Sequence, residues 1–233
     1  MQGVILAGGL ATRLRPLTES IPKCLIKIHG KPFMEYQIDL LKSKGIKRIL
    51  LCLGYLSEQV TSYFRNGHAF GVQISYSLED DQLLGTGGAL RQAYPLLEQE
   101  VLLLYGDSYL EFSWPEMSAH FRKTKSAALM LVHRNQNQWD QSNVVLENGY
   151  VKIYDKKNTL PEMEYIDAGL SILKKEVIRE IPPNQFYDLA DFYQALARRK
   201  LLKAYEIQQR FYEVGSPAGL KEFASLVEQG GLP

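Results

Sequence analysis

Arg13, Arg15 and Lys23 stand close together, just after the run Val4-Ile5-Leu6-Ala7-Gly8-Gly9. Ala7-Gly8-Gly9 is a backbone with almost no side chains, so a ligand can come close to its N–H groups. Backbone donors beside fixed cations suit a polyphosphate, which needs both hydrogen bonds and counter-charge. The plainer alternative is a glycine turn with surface arginines. A second chemical group stands at Gly106-Asp107, directly after the apolar run Val101-Leu102-Leu103-Leu104-Tyr105. A carboxylate at the end of a buried strand is costly to desolvate unless a cation meets it. Its plainer alternative is an Asp capping a turn.

The elements that must position these groups follow from periodicity. Val4-Ile5-Leu6 is uninterrupted by polar residues and reads as a buried strand. Phe33, Tyr36, Leu40 and Leu41 recur at helical spacing, with Gly45 at the C-cap. A strand at 48–53, a helix around 58–64 and a strand at 72–76 come next. Strand and helix alternating in this way predict a mostly parallel sheet covered by helices on both faces. Ligands bind such sheets beyond the carboxyl ends of the strands, where the Gly-Gly loop and Asp107 both fall. Gly85, Gly87 and Gly88 read as a second permissive loop before a helix beginning at Ala89. Helices are also expected over 115–124, 188–199 and 218–228, the second of them for packing only. Strands are expected at 127–132, 144–146 and 151–153, the last two joined through Asn148-Gly149, a hairpin signal. Residues 202–207 and 210–214 read as another hairpin.

The totals bound the reading. The chain has 233 residues, 45% of them hydrophobic and 23% charged, the profile of one α/β domain. A net charge of +1 gives no footprint for nucleic acid or an anionic membrane, so any anion site must be local. No apolar run approaches the roughly 20 residues of a membrane span. The first strand begins within three residues of Met1, which leaves no room for a signal peptide. Two cysteines, Cys24 and Cys52, make no disulfide framework. The expectation is a cytoplasmic protein. Neither G-x-x-x-x-G-K-[ST] nor G-x-G-x-x-G is present, and the absence of the latter excludes a dinucleotide-dependent oxidoreductase.

From Leu6 to Leu25 the chain resembles the signature L-A-G-G-x-G-T-R-L-x-P-L-T-x-x-x-P-K-x-L of the sugar-1-phosphate nucleotidyltransferases, with Ala11 where that family usually has Gly. Four further stretches resemble the family's motifs in order. They are Leu84-Gly85-Thr86-Gly87-Gly88-Ala89-Leu90, Gly106-Asp107, Asp155-Lys156 for E-K, and Phe211-Tyr212-Glu213-Val214-Gly215-Ser216-Pro217 for W-x-D-x-G-T-P. Asp167-Ala168-Gly169 stands for the family's N-A-G.

The resemblance implies a three-layer α/β/α, Rossmann-like single domain with a mixed, mainly parallel sheet. Its nucleotide-binding half would be residues 1–110 and its sugar-phosphate half 111–233. It implies an enzyme that joins an NTP and a sugar 1-phosphate into NDP-sugar and pyrophosphate with Mg²⁺. Leu6, Ala7, Gly8 and Gly9 would line the nucleotide, and Gln82 and Gly87 would contact its base. Arg13 would hold the leaving phosphates, and Lys23 would neutralise charge around the α-phosphate. Asp107 and Glu213 would hold the metal, Glu213 replacing the family's Asp. Lys156 would anchor the sugar phosphate; its plainer reading is a solvated edge lysine. Asp167 would accept sugar hydroxyls with both carboxylate oxygens, beside Gly169.

The short chain and Gly8 most resemble the heptose-1-phosphate guanylyltransferase branch, since many uridylyl- and cytidylyltransferases carry Ala at that position. The implied substrates are therefore GTP and a heptose 1-phosphate, for cell-surface polysaccharide, used by a monomer or homodimer. Uridylyl, cytidylyl or thymidylyl transfer to another sugar is the alternative. A non-catalytic nucleotide-sugar sensor would be marked by loss of Asp107, Arg13 or Lys23, and all three are present.

Overall fold

The computed structural model describes residues 1–80 and 82–232. Strands β1 (Gln2–Leu6), β2 (Lys27–Ile28), β3 (Lys31–Pro32), β4 (Arg48–Leu53), β5 (Gln73–Leu78), β6 (Glu100–Tyr105) and β7 (Ser108–Leu110) alternate with helices α1 (Phe33–Ser43), α2 (Ser57–Phe64) and α3 (Gly85–Gln92). After α4 (Trp114–Thr124) come β8 (Ala128–Arg134), β9 (Val144–Glu147), β10 (Tyr150–Tyr154) and β11 (Tyr165–Lys174). The chain closes with α5 (Lys175–Ile178), α6 (Leu189–Arg198), β12 (Leu202–Ile207), β13 (Phe211–Glu213) and α7 (Pro217–Glu228).

The main sheet has the order β5-β4-β1-β6-β11-β8-β12-β10-β9. β5, β4, β1 and β6 pair in parallel. β11 then runs antiparallel to both β6 and β8, while β12 is parallel to β8. Only β11 and β10 run against the other strands, so the sheet is mixed and mainly parallel. β1 is buried along its whole length and divides its side chains between two cores, as a strand covered on both faces must. Ile5 joins Phe33, Val60, Met117 and Phe223 from α1, α2, α4 and α7. Val4 and Leu6 join Leu90, Ile178, Phe192 and Leu196 from α3, α5 and α6. This is the three-layer α/β/α arrangement, and each fully buried large side chain contributes about 1.5–3 kcal/mol.

The hairpin at Asn148-Gly149 forms as expected, with φ of 52° and 75° at the two turn residues. Two expectations are corrected. The glycines at 85, 87 and 88 are not a loop; they form the first turns of α3, which begins at Gly85. They are small because the 185–188 segment packs on them. A Cβ at Gly87 would lie 2.8 Å from Tyr187 Cδ1, and one at Gly88 would lie 2.8 Å from the Gln185 carbonyl. Nor do residues 202–207 and 210–214 form a hairpin. β12 belongs to the main sheet, whereas β13 pairs antiparallel with β7 in a separate two-stranded sheet, Glu213 opposite Ser108. Local alternation could not reveal that partner, which lies a hundred residues away. Among the described residues no helix is long and apolar enough to cross a membrane.

Candidate active site

Three segments leave the carboxyl ends of neighbouring parallel strands and meet. After β1, Ala7 N donates to the Cys52 carbonyl at 2.8 Å and Tyr55 N to the Gly8 carbonyl at 3.2 Å, fastening the glycine loop to the β4 end. After β6, Gly106 N donates to the Leu6 carbonyl at 2.8 Å. From α1, the buried Gln37 amide donates to the carbonyls of Tyr105 and Ser108 at 2.9 and 2.8 Å. The turn that carries Asp107 is thereby fixed from two sides. β13 completes the arrangement: Val214 N donates to the Asp107 carbonyl at 2.8 Å, bringing the backbone of Glu213 beside that of Asp107.

Around these segments lie two cavities. One, of about 460 Å³, is lined by Leu6, Ala7, Gly8, Gly9, Lys23 and Glu79, among others. The second, of about 530 Å³, is lined by Asp140, Asn143, Lys156, Asp167, Gly169 and Glu213, among others. They share Arg13, Gly85, Thr86, Tyr105, Asp107 and Phe186, so the two adjoin along a common wall that includes Asp107. Lys23 Nζ donates to Asp107 Oδ2 at 2.6 Å, and Arg13 donates to Glu213 Oε1 at 2.7 Å. The junction thus gathers two cations and two carboxylates. Two carboxylates suit Mg²⁺, which is commonly held by one or two of them together with water and substrate phosphates. Among the described residues no cluster of three or more His, Cys, Asp or Glu side chains offers an all-protein cage.

Most of the residues singled out in the sequence line the cavities, and three depart from expectation. Gly87 does not: it is buried, and its N–H is taken by the Tyr187 carbonyl at 2.9 Å. Gln82 is exposed and is not part of either wall. Asp167 is nearly sealed, its side chain 3% exposed, and both oxygens already have internal donors. Tyr154 O–H donates to Oδ2 and Gly169 N to Oδ1, each at 2.9 Å. Only part of its acceptor capacity can face a ligand. Its remaining neighbour is Lys156, whose Nζ is 3.9 Å from Oδ2 and 4.7 Å from the Tyr105 ring centre. Lys156, half-exposed, thus lines the second cavity beside Asp167 and over the rings of Tyr105 and Tyr154.

Sequence reasoning missed several wall residues. Glu79, just past the end of β5, accepts from Leu84 N at 2.6 Å through one oxygen. The other oxygen lies against Gly8, where a Cβ would come within 2.3 Å of it. Burial pushes its carboxyl above the ordinary value, against the pull of the Leu84 hydrogen bond. The rule that flagged the Gly-Gly loop and Asp107, strand carboxyl ends facing the ligand, reaches Glu79 once β5 extends to Leu78. Asp188 N-caps α6 through Ala190 N at 2.9 Å and also accepts from the Thr86 hydroxyl at 3.2 Å. Cys24 and Cys52 both border the first cavity, and burial pushes each thiol up to about 12, which disfavours the nucleophilic thiolate.

The sequence profile of the nucleotidyl transferase family matches residues 2–230. A D-glycero-alpha-D-manno-heptose 1-phosphate guanylyltransferase of Campylobacter jejuni is 27% identical over 96% of this chain and 98% of its own length. A UTP–glucose-1-phosphate uridylyltransferase of Synechocystis is 33% identical over 81% of this chain and 53% of its own. Among solved structures, HddC of Yersinia pseudotuberculosis with GMP-PN shares the fold at a TM-score of 0.79 and 24% identity, over 97% of this chain and 99% of that one.

Proposed function

The chain belongs to the nucleotidyl transferase family as a sugar-1-phosphate nucleotidyltransferase, and from that premise we propose that it is a guanylyltransferase acting on a heptose 1-phosphate. The observation that carries the reading is the pair of cavities that adjoin at Asp107, with Lys23 lining the first, Lys156 the second and Arg13 both. The first cavity would hold the NTP, the second the sugar phosphate. The phosphate oxygen of the sugar attacks the α-phosphorus in line, the bond to the β-phosphate oxygen breaks, and pyrophosphate leaves. No protein nucleophile is required, so the residues position and neutralise. Arg13 would hold the departing phosphates and Lys23 the α-phosphate. Lys156, held by Asp167, would bind the phosphate of the sugar. Asp107 and Glu213 would hold Mg²⁺, which supplies charge neutralisation on the phosphate oxygens. The product would serve cell-surface polysaccharide.

Guanine is favoured by Glu79. A carboxylate only accepts hydrogen bonds. Guanine alone among the common bases presents adjacent N1–H and N2–H donors on one edge. Uracil and thymine present a single N–H between two carbonyls, whose lone pairs a carboxylate repels. Gly8 fits the same reading, because an alanine methyl there would push the Glu79 carboxylate aside. The C. jejuni relative is a guanylyltransferase by name, while the Synechocystis one uses UTP.

The test is pyrophosphate release with Mg²⁺, pairing GTP, UTP, CTP, dTTP and ATP with a panel of sugar 1-phosphates. Turnover is expected with GTP and a heptose or mannose 1-phosphate. Asp107→Ala should lower it by on the order of 10²–10³ or more. Turnover with UTP alone would replace the guanine reading with the uridylyl one.

A further inference from the structure

Phe186 is the most exposed of the large apolar side chains, at 64% of its full surface. A single exposed aromatic is ordinary on a protein surface. Phe186 differs in two respects. It borders both cavities, and the backbone that follows it is tied down. Tyr187 N donates to the Leu84 carbonyl at 2.8 Å, and the Tyr187 carbonyl accepts from Gly87 N and Gly88 N at 2.9 and 3.1 Å. The Thr86 hydroxyl accepts from Leu189 N at 2.9 Å and donates to Asp188 at 3.2 Å. The ring also lies over Gly85, where a Cβ would be 3.0 Å from Cε2. A backbone anchored from Tyr187 onward thus presents a large, exposed apolar side chain at the seam between the two cavities.

Resting on the reading above, we propose that Phe186 is a substrate-contacting residue that packs across that seam and excludes water from the α-phosphate. Water in place of the sugar phosphate would attack the same phosphorus. The bond to pyrophosphate would break, and nucleoside monophosphate, pyrophosphate and a proton released to solvent would result. An apolar cover suppresses that leak, and it also strengthens the attraction of Arg13 and Lys23 for phosphate by keeping solvent out. Because the ring touches both cavities, both substrates gain from burying it.

Phe186→Ala and Phe186→Leu are compared with the wild type in the Mg²⁺ assay with GTP and a heptose 1-phosphate, following NMP as well as NDP-sugar. Thermal melting of each variant checks that it is folded. The expected result for Phe186→Ala is an unchanged melting temperature, since the lost surface is exposed. KM should rise roughly tenfold or more for both substrates, with a clear increase in the NMP share. Phe186→Leu should recover most of each effect. An alanine variant with wild-type KM values and wild-type NMP share would overturn the role of Phe186 while leaving the enzyme reading intact. A wild type that releases no pyrophosphate from any pair would overturn both.

Discussion

Glu79 carries the base choice in this reading, and its chemistry is testable apart from the fold. Replacing the carboxylate by an amide removes one charge-assisted acceptor and adds a donor. Glu79→Gln should lower the preference for GTP over UTP by roughly 10–100-fold, measured as the ratio of kcat/KM values. The pH dependence has a definite sign. Burial raises the Glu79 carboxyl above the ordinary glutamate value, so the ionised form that would accept from guanine is lost sooner as pH falls. As pH falls, GTP affinity of the wild type should decline at a higher pH than an ordinary glutamate would give. The Gln variant should lack that limb, and the difference between the two curves removes the titration of the triphosphate itself. Ala11, the departure from the signature, lies in the left-handed region at φ 48°, which accounts for the family's usual Gly there.

At the scale of elements, the contact between α3 and the 185–188 segment joins the two cavities. Five hydrogen bonds and three close-packed glycines connect residues a hundred positions apart. Gly87→Ala would press a methyl group to 2.8 Å from Tyr187 Cδ1 and 3.1 Å from its carbonyl oxygen. Overpacking of this kind costs about 1–3 kcal/mol, a melting-point loss of roughly 2–10 °C for a chain of this size. KM should rise for both substrates, because the segment it displaces carries Phe186 and Asp188. A rise for the nucleotide alone would mean that the clasp serves only the base side.

For the whole molecule, α7 fastens the strands that position Asp107 and Glu213. Phe223 is fully buried and packs its ring against Phe33, Tyr36 and Tyr109, with centroids 5.1–5.4 Å away, and against Tyr212 at 6.2 Å. It therefore bridges α1, which carries Gln37, to β7 and β13, which flank Asp107 and carry Glu213. Phe223→Ala should destabilise the fold by about 3–5 kcal/mol, measured by denaturant unfolding. Against a typical total of about 5–15 kcal/mol, that is a large share of the stability.

The sequence alone determined the elements built from local signals: apolar runs for β1, β4 and β6, helical spacing for α1, and Asn148-Gly149 for the hairpin. It also singled out Arg13, Lys23 and Asp107 as candidates, as cations near a bare backbone and a carboxylate after an apolar run, and the resemblance supplied their proposed roles. What it could not decide were the long-range pairings. β13 joins β7 rather than β12, Gly87 gives its N–H to the Tyr187 carbonyl, and Asp167 accepts from Tyr154 and Gly169 beside Lys156. Each of these depends on a partner far along the chain, and local periodicity carries no information about which distant surface will bury a given side chain. Glu79 and Phe186 came to light only when strand ends and a remote loop were brought to one seam.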